Sequence, residues 1–188
     1  MDLKNFFPEK ENLALIVVDI QDNLLKAFKE DIREKVVQKS SLIIRYFKHK
    51  NYPILVFEQY PKGIGPTNEI IKEALGDSYQ PIVKNCFSGV CAEGFEEKLN
   101  NINKRDIILI GIEAHICVLQ TCYDLVTKGK NVYVPADAVG SRFRTDWEFG
   151  LKAMERMSAN ILTTEILIFK LLERAGTDDF KFMLPYLK

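Results

Sequence analysis

The stretch that decides the fold of this chain is residues 105–120, RDIILIGIEAHICVLQ. It opens as an apolar, β-branched run up to Gly111, which is typical of a strand buried on both faces. After a short turn, apolar residues recur at helical spacing from Cys117 as far as Gly129, which can serve as a left-handed cap. Cys117 is therefore predicted to lie in the first turn of a helix. The positive end of the helix dipole favours a thiolate there, so Cys117 is a candidate nucleophile.

Five further apolar runs predict strands at residues 13–19, 53–57, 81–84, 131–138 and 160–163. They alternate with segments of helical periodicity. This pattern predicts an α/β fold, a three-layer α-β-α doubly wound (Rossmann-like) arrangement around a sheet of six mainly parallel strands. No linker, repeat or change of composition divides residues 1–188, so we expect a single domain. Neither a G-x-G-x-x-G after the first strand nor a Walker A loop is present, and we expect no cofactor.

Composition limits the partners. The 188 residues hold 26 Lys and Arg against 26 Asp and Glu, a formal net charge of +0, which argues against a nucleic acid or an anionic membrane as the main partner. No apolar run is long enough to span a bilayer. The first residues lack the features of a signal peptide, and we expect a cytoplasmic protein.

The four cysteines are expected to be free thiols, as in most cytoplasmic proteins, and not a disulfide framework. They are Cys86, Cys91, Cys117 and Cys122. Their C-x₄-C spacing matches no common zinc pattern, and His49 and His115 are the only histidines. We therefore expect no metal site.

Two other strand ends carry residues with possible chemistry. Asp19 ends the first apolar run and Lys84 ends the third. Asp19 could be a simple turn or cap residue, and Lys84 an ordinary surface lysine. Ligand sites of parallel α/β sheets, however, lie at the carboxyl ends of strands. Together with Cys117 the two residues form a coherent set, because Asp19 can accept the thiol proton and Lys84 can favour the thiolate.

Several motifs stand in a recognisable order: ALIVVDIQD at 14–22, VK at 83–84 with FS at 87–88, GIEAHICV at 111–118, DAV at 137–139 with SR at 141–142, and TTE at 163–165. In these motifs the sequence resembles the isochorismatase-like cysteine hydrolases, the superfamily that includes nicotinamidases. GIEAHICVLQT, EQYPKGIGPT and the FKLL ending resemble most the branch of isochorismatase domain-containing proteins. The resemblance covers essentially the whole chain and implies a single isochorismatase-like hydrolase domain.

The resemblance implies a catalytic triad of Asp19, Lys84 and Cys117. It also implies an oxyanion hole made by the backbone N–H groups of Glu113 and Cys117, and a cis peptide bond between Ile112 and Glu113. The expected reaction is hydrolysis of a small-molecule amide or related C–N bond, in which Cys117 forms a covalent acyl intermediate.

This sequence also departs from the superfamily. Nicotinamidases bind a metal through an Asp-x-His element and a further histidine near the second strand, whereas residues 57–61 here read FEQYP. We therefore expect neither a metal nor a nicotinamide substrate. Candidates for lining the substrate pocket are Gln21, Gln59, Tyr60, Phe87 and His115. For His115 the alternative is a residue that only packs the turn.

Two rival hypotheses remain from other classes. The chain could be a catalytically idle binding or scaffold protein on the same fold, which predicts no reactive thiol, whereas a strongly depressed pKa of Cys117 would favour the enzyme. It could also be a thiol redox protein, although it has no C-x-x-C pair. As for partners, we expect a small-molecule substrate and a homo-oligomer. The apolar tail at residues 180–187 could contribute to an interface or could equally pack on its own domain.

Overall fold

A computed structural model describes residues 5–187 and shows one sheet of parallel strands. The strands are β1 (Leu13–Val18), β2 (Ile54–Gln59), β3 (Ile82–Lys84), β4 (Asp106–Ile112), β5 (Asn131–Pro135), β6 (Val139–Gly140) and β7 (Asn160–Leu162). Their order across the sheet is β3-β2-β1-β4-β5-β7, and β6 pairs with β4. The predicted α/β fold with a mainly parallel sheet is confirmed.

Helices connect the strands and cover both faces of the sheet. They are α1 (Asp22–Leu25), α2 (Glu30–His49), α3 (Pro61–Ile64), α4 (Glu69–Leu75), α5 (Phe95–Ile102), α6 (Leu119–Thr127), α7 (Arg144–Arg156), α8 (Thr164–Leu172) and α9 (Asp178–Met183). Short 3₁₀ turns lie at Lys10–Asn12, Gly76–Ser78, Gly89–Cys91 and Leu184–Tyr186, and a π-helical turn at Ala114–Val118 precedes α6. No helix within residues 5–187 combines the length and apolar composition needed to cross a bilayer.

Side chains alternate between the two faces of the sheet along each strand, so the core has two layers. Leu13, Leu15 and Val17 of β1 pack with the apolar faces of α2, α4 and α8. Ala14 and Ile16 point to the opposite layer, beneath α5, α6 and α7. Because all of β1 and β4 is buried on both faces, their sequences read as continuous apolar runs.

The fifth strand is shorter than the sequence predicted, and a seventh strand follows it. Residues 131–138 were expected to form one strand, but β5 ends at Pro135. The chain then turns, with the Ala138 N–H donating to the Pro135 carbonyl, and β6 pairs with the end of β4. This turn brings residues 139–142 to the same end of the sheet as the residues after β4.

Gly111 lets β1 and β4 approach each other at that end. It pairs with Val18 in the parallel register of the two strands and has φ +129°, a conformation that side chains disfavour. A Cβ at this position would overlap the backbone carbonyl of Val18. The site residues that follow each strand therefore depend on a residue without a side chain.

We expect Gly111→Ala to lower the free energy of unfolding by at least about 2 kcal/mol, since it combines backbone strain with a steric overlap. Gly129→Ala is a matched control, because Gly129 also has a positive φ of +77° but nothing lies within 4 Å of the added Cβ. Urea unfolding followed by circular dichroism measures both variants. Equal losses in the two would show that the contact with Val18 is unimportant.

Candidate active site

Asp19 and Lys84 form a fully buried ion pair at the carboxyl end of the sheet. Asp19 follows β1 directly and has a left-handed backbone, with φ 53°. Lys84 ends β3, and its Nζ lies 2.6 Å from Asp19 Oδ2, with both side chains 0% exposed. The structure thus excludes the alternative that Lys84 is an ordinary surface lysine.

Three further oxygens surround the Lys84 ammonium. Its Nζ donates to Gln59 Oε1 at 2.6 Å, and to the carbonyl oxygens of Phe87 at 3.1 Å and Cys86 at 3.3 Å. A buried ammonium needs such acceptors to replace the water it has lost. The end of β2 and the loop after β3 therefore hold Lys84 in place.

Cys117 completes the group. It lies in the π-helical turn, is 7% exposed, and is near enough to Asp19 and Lys84 for both charges to act on its thiol. Burial and the Asp19 charge raise the pKa of Cys117 to about 12, while Lys84 acts in the opposite direction. Burial also raises the pKa of Asp19, against the effect of Lys84. The pKa of the thiol is thus raised and not depressed, because burial and the Asp19 charge outweigh the effect of Lys84.

The loop after β4 is held by Glu113. The Ile112–Glu113 peptide bond is cis, at the position that the family resemblance implied. The Glu113 carbonyl accepts from the N–H groups of Ile116 at 3.0 Å and Val118 at 3.2 Å, which shapes the π-helical turn around Cys117. The Glu113 carboxylate accepts from the backbone N–H of Arg142 at 3.1 Å and pairs with its Nε at 3.0 Å. The sequence did not single out Arg142 for this role, although it lies within the matched SR motif.

His115 is partnered away from the triad. Its Nδ1 lies 2.9 Å from Ser141 Oγ, and its Nε2 lies 3.7 Å from Asp146 Oδ2. Gly150 of α7 packs directly against its backbone, where a Cβ would lie 3.1 Å from the His115 Cα. These contacts fit the turn-packing alternative, although 23% of the side chain remains exposed.

Gln21 and Gln59 form hydrogen bonds that hold the end of β2 and the Lys84 side chain. Gln21 is 0% exposed, and its amide donates to the Gln59 carbonyl at 3.0 Å and accepts from the Gln59 N–H at 2.8 Å. The Gln59 side chain bonds Lys84 and the Asn85 carbonyl. Both amides are thus engaged within the protein. Tyr60 and Phe87, by contrast, follow the ends of β2 and β3 and are 53% and 55% exposed.

The expectation that all four cysteines are free thiols is wrong for one pair. Cys86 and Cys91 form a disulfide in the structure, whereas Cys117 and Cys122 are free and buried. The 3₁₀ turn at Gly89–Cys91, capped by Ser88, brings the two Cα atoms to 6.5 Å. A C-x₄-C spacing around Ser88-Gly89 was the available sequence signal.

The residues near the end of β2 do not fit a metal site. Glu58 Oε1 accepts from the Thr67 N–H at 2.7 Å, from Thr67 Oγ1 at 2.8 Å and from the Tyr79 hydroxyl at 2.6 Å. Gln59 is committed to Lys84. Within the described residues no three His, Cys, Asp or Glu side chains are arranged to hold a metal ion.

Two more distant structures resemble the chain in fold alone. The octameric YcaC hydrolase of Escherichia coli aligns with a TM-score of 0.85 at 20% identity, over 96% of this chain and 93% of that one. The N-carbamoylsarcosine amidase of Thermoplasma acidophilum aligns with a TM-score of 0.69 at 20% identity, over 82% of this chain and 97% of that one.

Closer relatives cover nearly the whole chain. Isochorismatase family protein 1B of Dictyostelium discoideum is 34% identical, over 95% of this chain and 87% of its own length. Isochorismatase domain-containing protein 2 of Danio rerio is 32% identical, over 89% and 83%. The structure of the MAR1 ribonuclease of Caenorhabditis elegans aligns with a TM-score of 0.87 at 37% identity, over 96% and 92%. The isochorismatase domain model matches residues 13–166, and the chain therefore belongs to the isochorismatase family.

Proposed function

We propose that the protein is a cysteine-dependent hydrolase of a small molecule, which cleaves an amide or related C–N bond through a covalent Cys117 acyl intermediate. The observation that carries this proposal is the buried Lys84–Asp19 ion pair beside a buried thiol. A buried ion pair contributes little net stability to a fold, because the cost of removing both charges from water offsets their attraction. Next to Cys117, the same pair supplies a base and a fixed positive charge.

The proposed reaction starts from the protonated thiol. As a substrate carbonyl approaches, Asp19 accepts the thiol proton, the Cys117 sulfur attacks the carbonyl carbon, and Lys84 stabilises the negative charge on sulfur. The N–H groups of Glu113 and Cys117 receive the oxyanion. Asp19 then returns the proton to the departing amine. Water, deprotonated by Asp19, hydrolyses the thioester and releases the acid and the free thiol.

Geometry favours a small substrate. Cys117 is 7% exposed, which leaves little access to the sulfur, and the exposed rings of Tyr60 and Phe87 follow the strand ends nearest to Lys84. An amide or ureide of a few heavy atoms fits such a site better than a polymer. The N-carbamoylsarcosine amidase that shares this fold acts on a substrate of that kind, which agrees with the proposal.

The ribonuclease name of the Caenorhabditis elegans relative suggests a different substrate class. RNA binding normally relies on a positive surface, and this chain has a formal net charge of +0. Its two histidines, common acid–base groups, are engaged elsewhere: His115 with Ser141, and His49 with Asp179 at 2.9 Å. We therefore favour the small-molecule hydrolase. The alternative from another class is an idle binding or scaffold protein on the same fold.

We also propose a homo-oligomer. Several large aromatic side chains are more than half exposed: Tyr60 at 53%, Phe87 at 55%, Tyr123 at 57%, Phe143 at 64% and Phe149 at 65%. Exposed aromatic side chains of this size are typical of protein interfaces. The octameric state of YcaC, which shares the fold, supports this proposal.

A panel of small amides and ureides, with a single-stranded RNA included, tests the proposed function. We expect at least one small C–N substrate whose turnover falls by at least about 10³-fold in Cys117→Ala. Cys122→Ala is the control, since Cys122 is a free, buried thiol with no role in the proposed reaction. Undiminished activity in Cys117→Ala would contradict the nucleophile assignment. Cleavage of RNA alone would contradict the substrate class.

The charges around the thiol give a second prediction. Asp19 raises the pKa of Cys117 and Lys84 lowers it. Asp19→Asn should therefore lower the pKa of Cys117 and speed its alkylation by iodoacetamide at pH 8 about tenfold, because a decrease of one pKa unit raises the thiolate fraction tenfold. Lys84→Met should raise the pKa of Cys117 and slow the alkylation. The same Asp19→Asn variant should lose turnover, since it lacks the base. Slower alkylation in Asp19→Asn would show that the carboxylate does not act on the thiol as described.

The oligomer proposal is tested by light scattering after size-exclusion chromatography. We expect a mass that is a multiple of the 21.6 kDa chain. Phe149→Ser, which removes one exposed aromatic ring, should shift the mass towards a single chain. A wild-type mass of one chain across the concentration range would rule out the homo-oligomer.

A further inference from the structure

The loop that follows β3 carries both the Cys86–Cys91 disulfide and part of the Lys84 environment. Lys84 ends β3, and the carbonyl oxygens of Cys86 and Phe87 accept hydrogen bonds from its Nζ. Residues 86 to 91 close a short ring through the disulfide. The covalent link therefore constrains two of the four oxygens that hold the ammonium.

The same loop is tied to the helix of the nucleophile. The Gly89 N–H donates to Thr121 Oγ1 at 2.8 Å, and this hydroxyl donates to the Cys117 carbonyl at 2.6 Å. Ser88 Oγ donates to Asp124 Oδ2 at 2.5 Å. A change in the loop thus reaches Lys84 from one side and the Cys117 segment from the other.

One of the two disulfide cysteines lies at the surface. Cys91 is exposed and Cys86 is half-buried, whereas the free cysteines 117 and 122 are buried. The Ser88 carbonyl oxygen lies 3.3 Å from Cys86 Sγ and 2.9 Å from Cys91 Sγ. A thiol formed at either position would therefore have an acceptor near its sulfur. Exposed disulfides are typical of labile, regulatory sites.

We propose that Cys86 and Cys91 form a reversible thiol–disulfide site that controls the position of Lys84 and hence the reactivity of Cys117. The co-reactant is a low-molecular-weight thiol and its disulfide, such as the reduced and oxidised forms of glutathione. The inference concerns regulation of the site described under the proposed function and rests on that proposal for its biological meaning.

In the proposed exchange, a small thiolate attacks the sulfur of Cys91, the more exposed of the two residues, and Cys86 leaves as a thiolate that takes up a proton. A second small thiolate attacks the outer sulfur of the mixed disulfide, releases the Cys91 thiolate, which is protonated, and forms the small-molecule disulfide. Two thiols are oxidised and one protein disulfide is reduced. The reverse sequence restores the Cys86–Cys91 bond.

Reduction removes the covalent ring and leaves the Cys86 and Phe87 carbonyls free to move away from Lys84. The ammonium is then fixed only by Asp19 and Gln59. We expect its positive charge to act less strongly at Cys117. The disulfide form, in which the four oxygens converge on Nζ, is the more reactive form.

The test compares two alkylating reagents of nearly equal size on the full chain. Iodoacetate is an anion and iodoacetamide is neutral, so the ratio of their rates at Cys117 reports the local positive charge, while changes in access cancel. The protein is equilibrated with glutathione at different ratios of the reduced and oxidised forms and desalted. Its alkylation is then followed by mass spectrometry, with fragment ions separating Cys117 from Cys122. We expect the rate with iodoacetate divided by the rate with iodoacetamide to fall at least about threefold on reduction of the disulfide.

Two variants show where the response arises. Cys91→Ser should give the low ratio of the reduced protein at every glutathione setting, since it keeps the backbone carbonyls but cannot close the ring. Cys122→Ala should respond like the wild type. Equal rate ratios in the oxidised and reduced wild type would overturn the proposal. So would a wild type in which glutathione never populates both forms. A rate ratio that still changes with glutathione in Cys91→Ser would overturn it as well. Alkylation needs no substrate, so an idle protein would still show the response, and the two proposals can fail separately.

Discussion

Lys84 and Asp19 meet across a gap of one strand. In the sheet order, β2 lies between β3, which ends at Lys84, and β1, which is followed by Asp19. The lysine side chain therefore passes the end of β2, where Gln59 Oε1 accepts a hydrogen bond from its Nζ, before it reaches the Asp19 carboxylate. An ion pair without exposure to water is tolerated only when the remaining donors and acceptors are satisfied. The Lys84 ammonium meets that condition through Gln59 and the carbonyls of Cys86 and Phe87, whereas Asp19 Oδ1 is buried without a hydrogen-bond partner among the described residues.

The buried ion pair also depends on two glutamine side chains, Gln59 and Gln21. Gln59 can face Lys84 because Gln21 holds the backbone of Gln59 on both its N–H and its carbonyl. Gln21 itself lies just after the left-handed turn at Asp19. The charged pair, the two amides and the strand ends are thus mutually dependent. Removing any one of them leaves a buried polar group without its partner, which is more costly than losing a surface contact.

The chemistry of the thiol follows from the same burial. Cys117 is buried, so the ionised form of its sulfur is penalised, and the nearby Asp19 charge raises the pKa of the thiol further. This differs from cysteine hydrolases in which an imidazolium and a helix dipole stabilise a resting thiolate. Here Lys84 offsets part of the penalty.

Sequence alone locates the strands well because β1 and β4 are buried on both faces, which leaves an uninterrupted apolar run. It also places Asp19 and Lys84 at one edge, since the carboxyl ends of parallel strands meet there. It could not give the raised pKa of Cys117, because burial of the thiol depends on packing from several elements. The engagement of Gln21 depends likewise on contacts with a distant strand, whereas the Cys86–Cys91 pairing is local and had a signal in the C-x₄-C spacing.

The position of the ammonium also bears on metal binding at this edge of the sheet. A divalent cation near the end of β2 would lie beside the Lys84 charge, and two side-chain oxygens of β2 already accept hydrogen bonds: Gln59 Oε1 from Lys84, and Glu58 Oε1 from Thr67 and Tyr79. Repulsion in a medium of low dielectric constant and the loss of those hydrogen bonds would both oppose it. The donor set at this edge therefore holds the Lys84 ammonium beside Asp19 and Cys117, and the positive charge at this edge is that of a side chain of the protein.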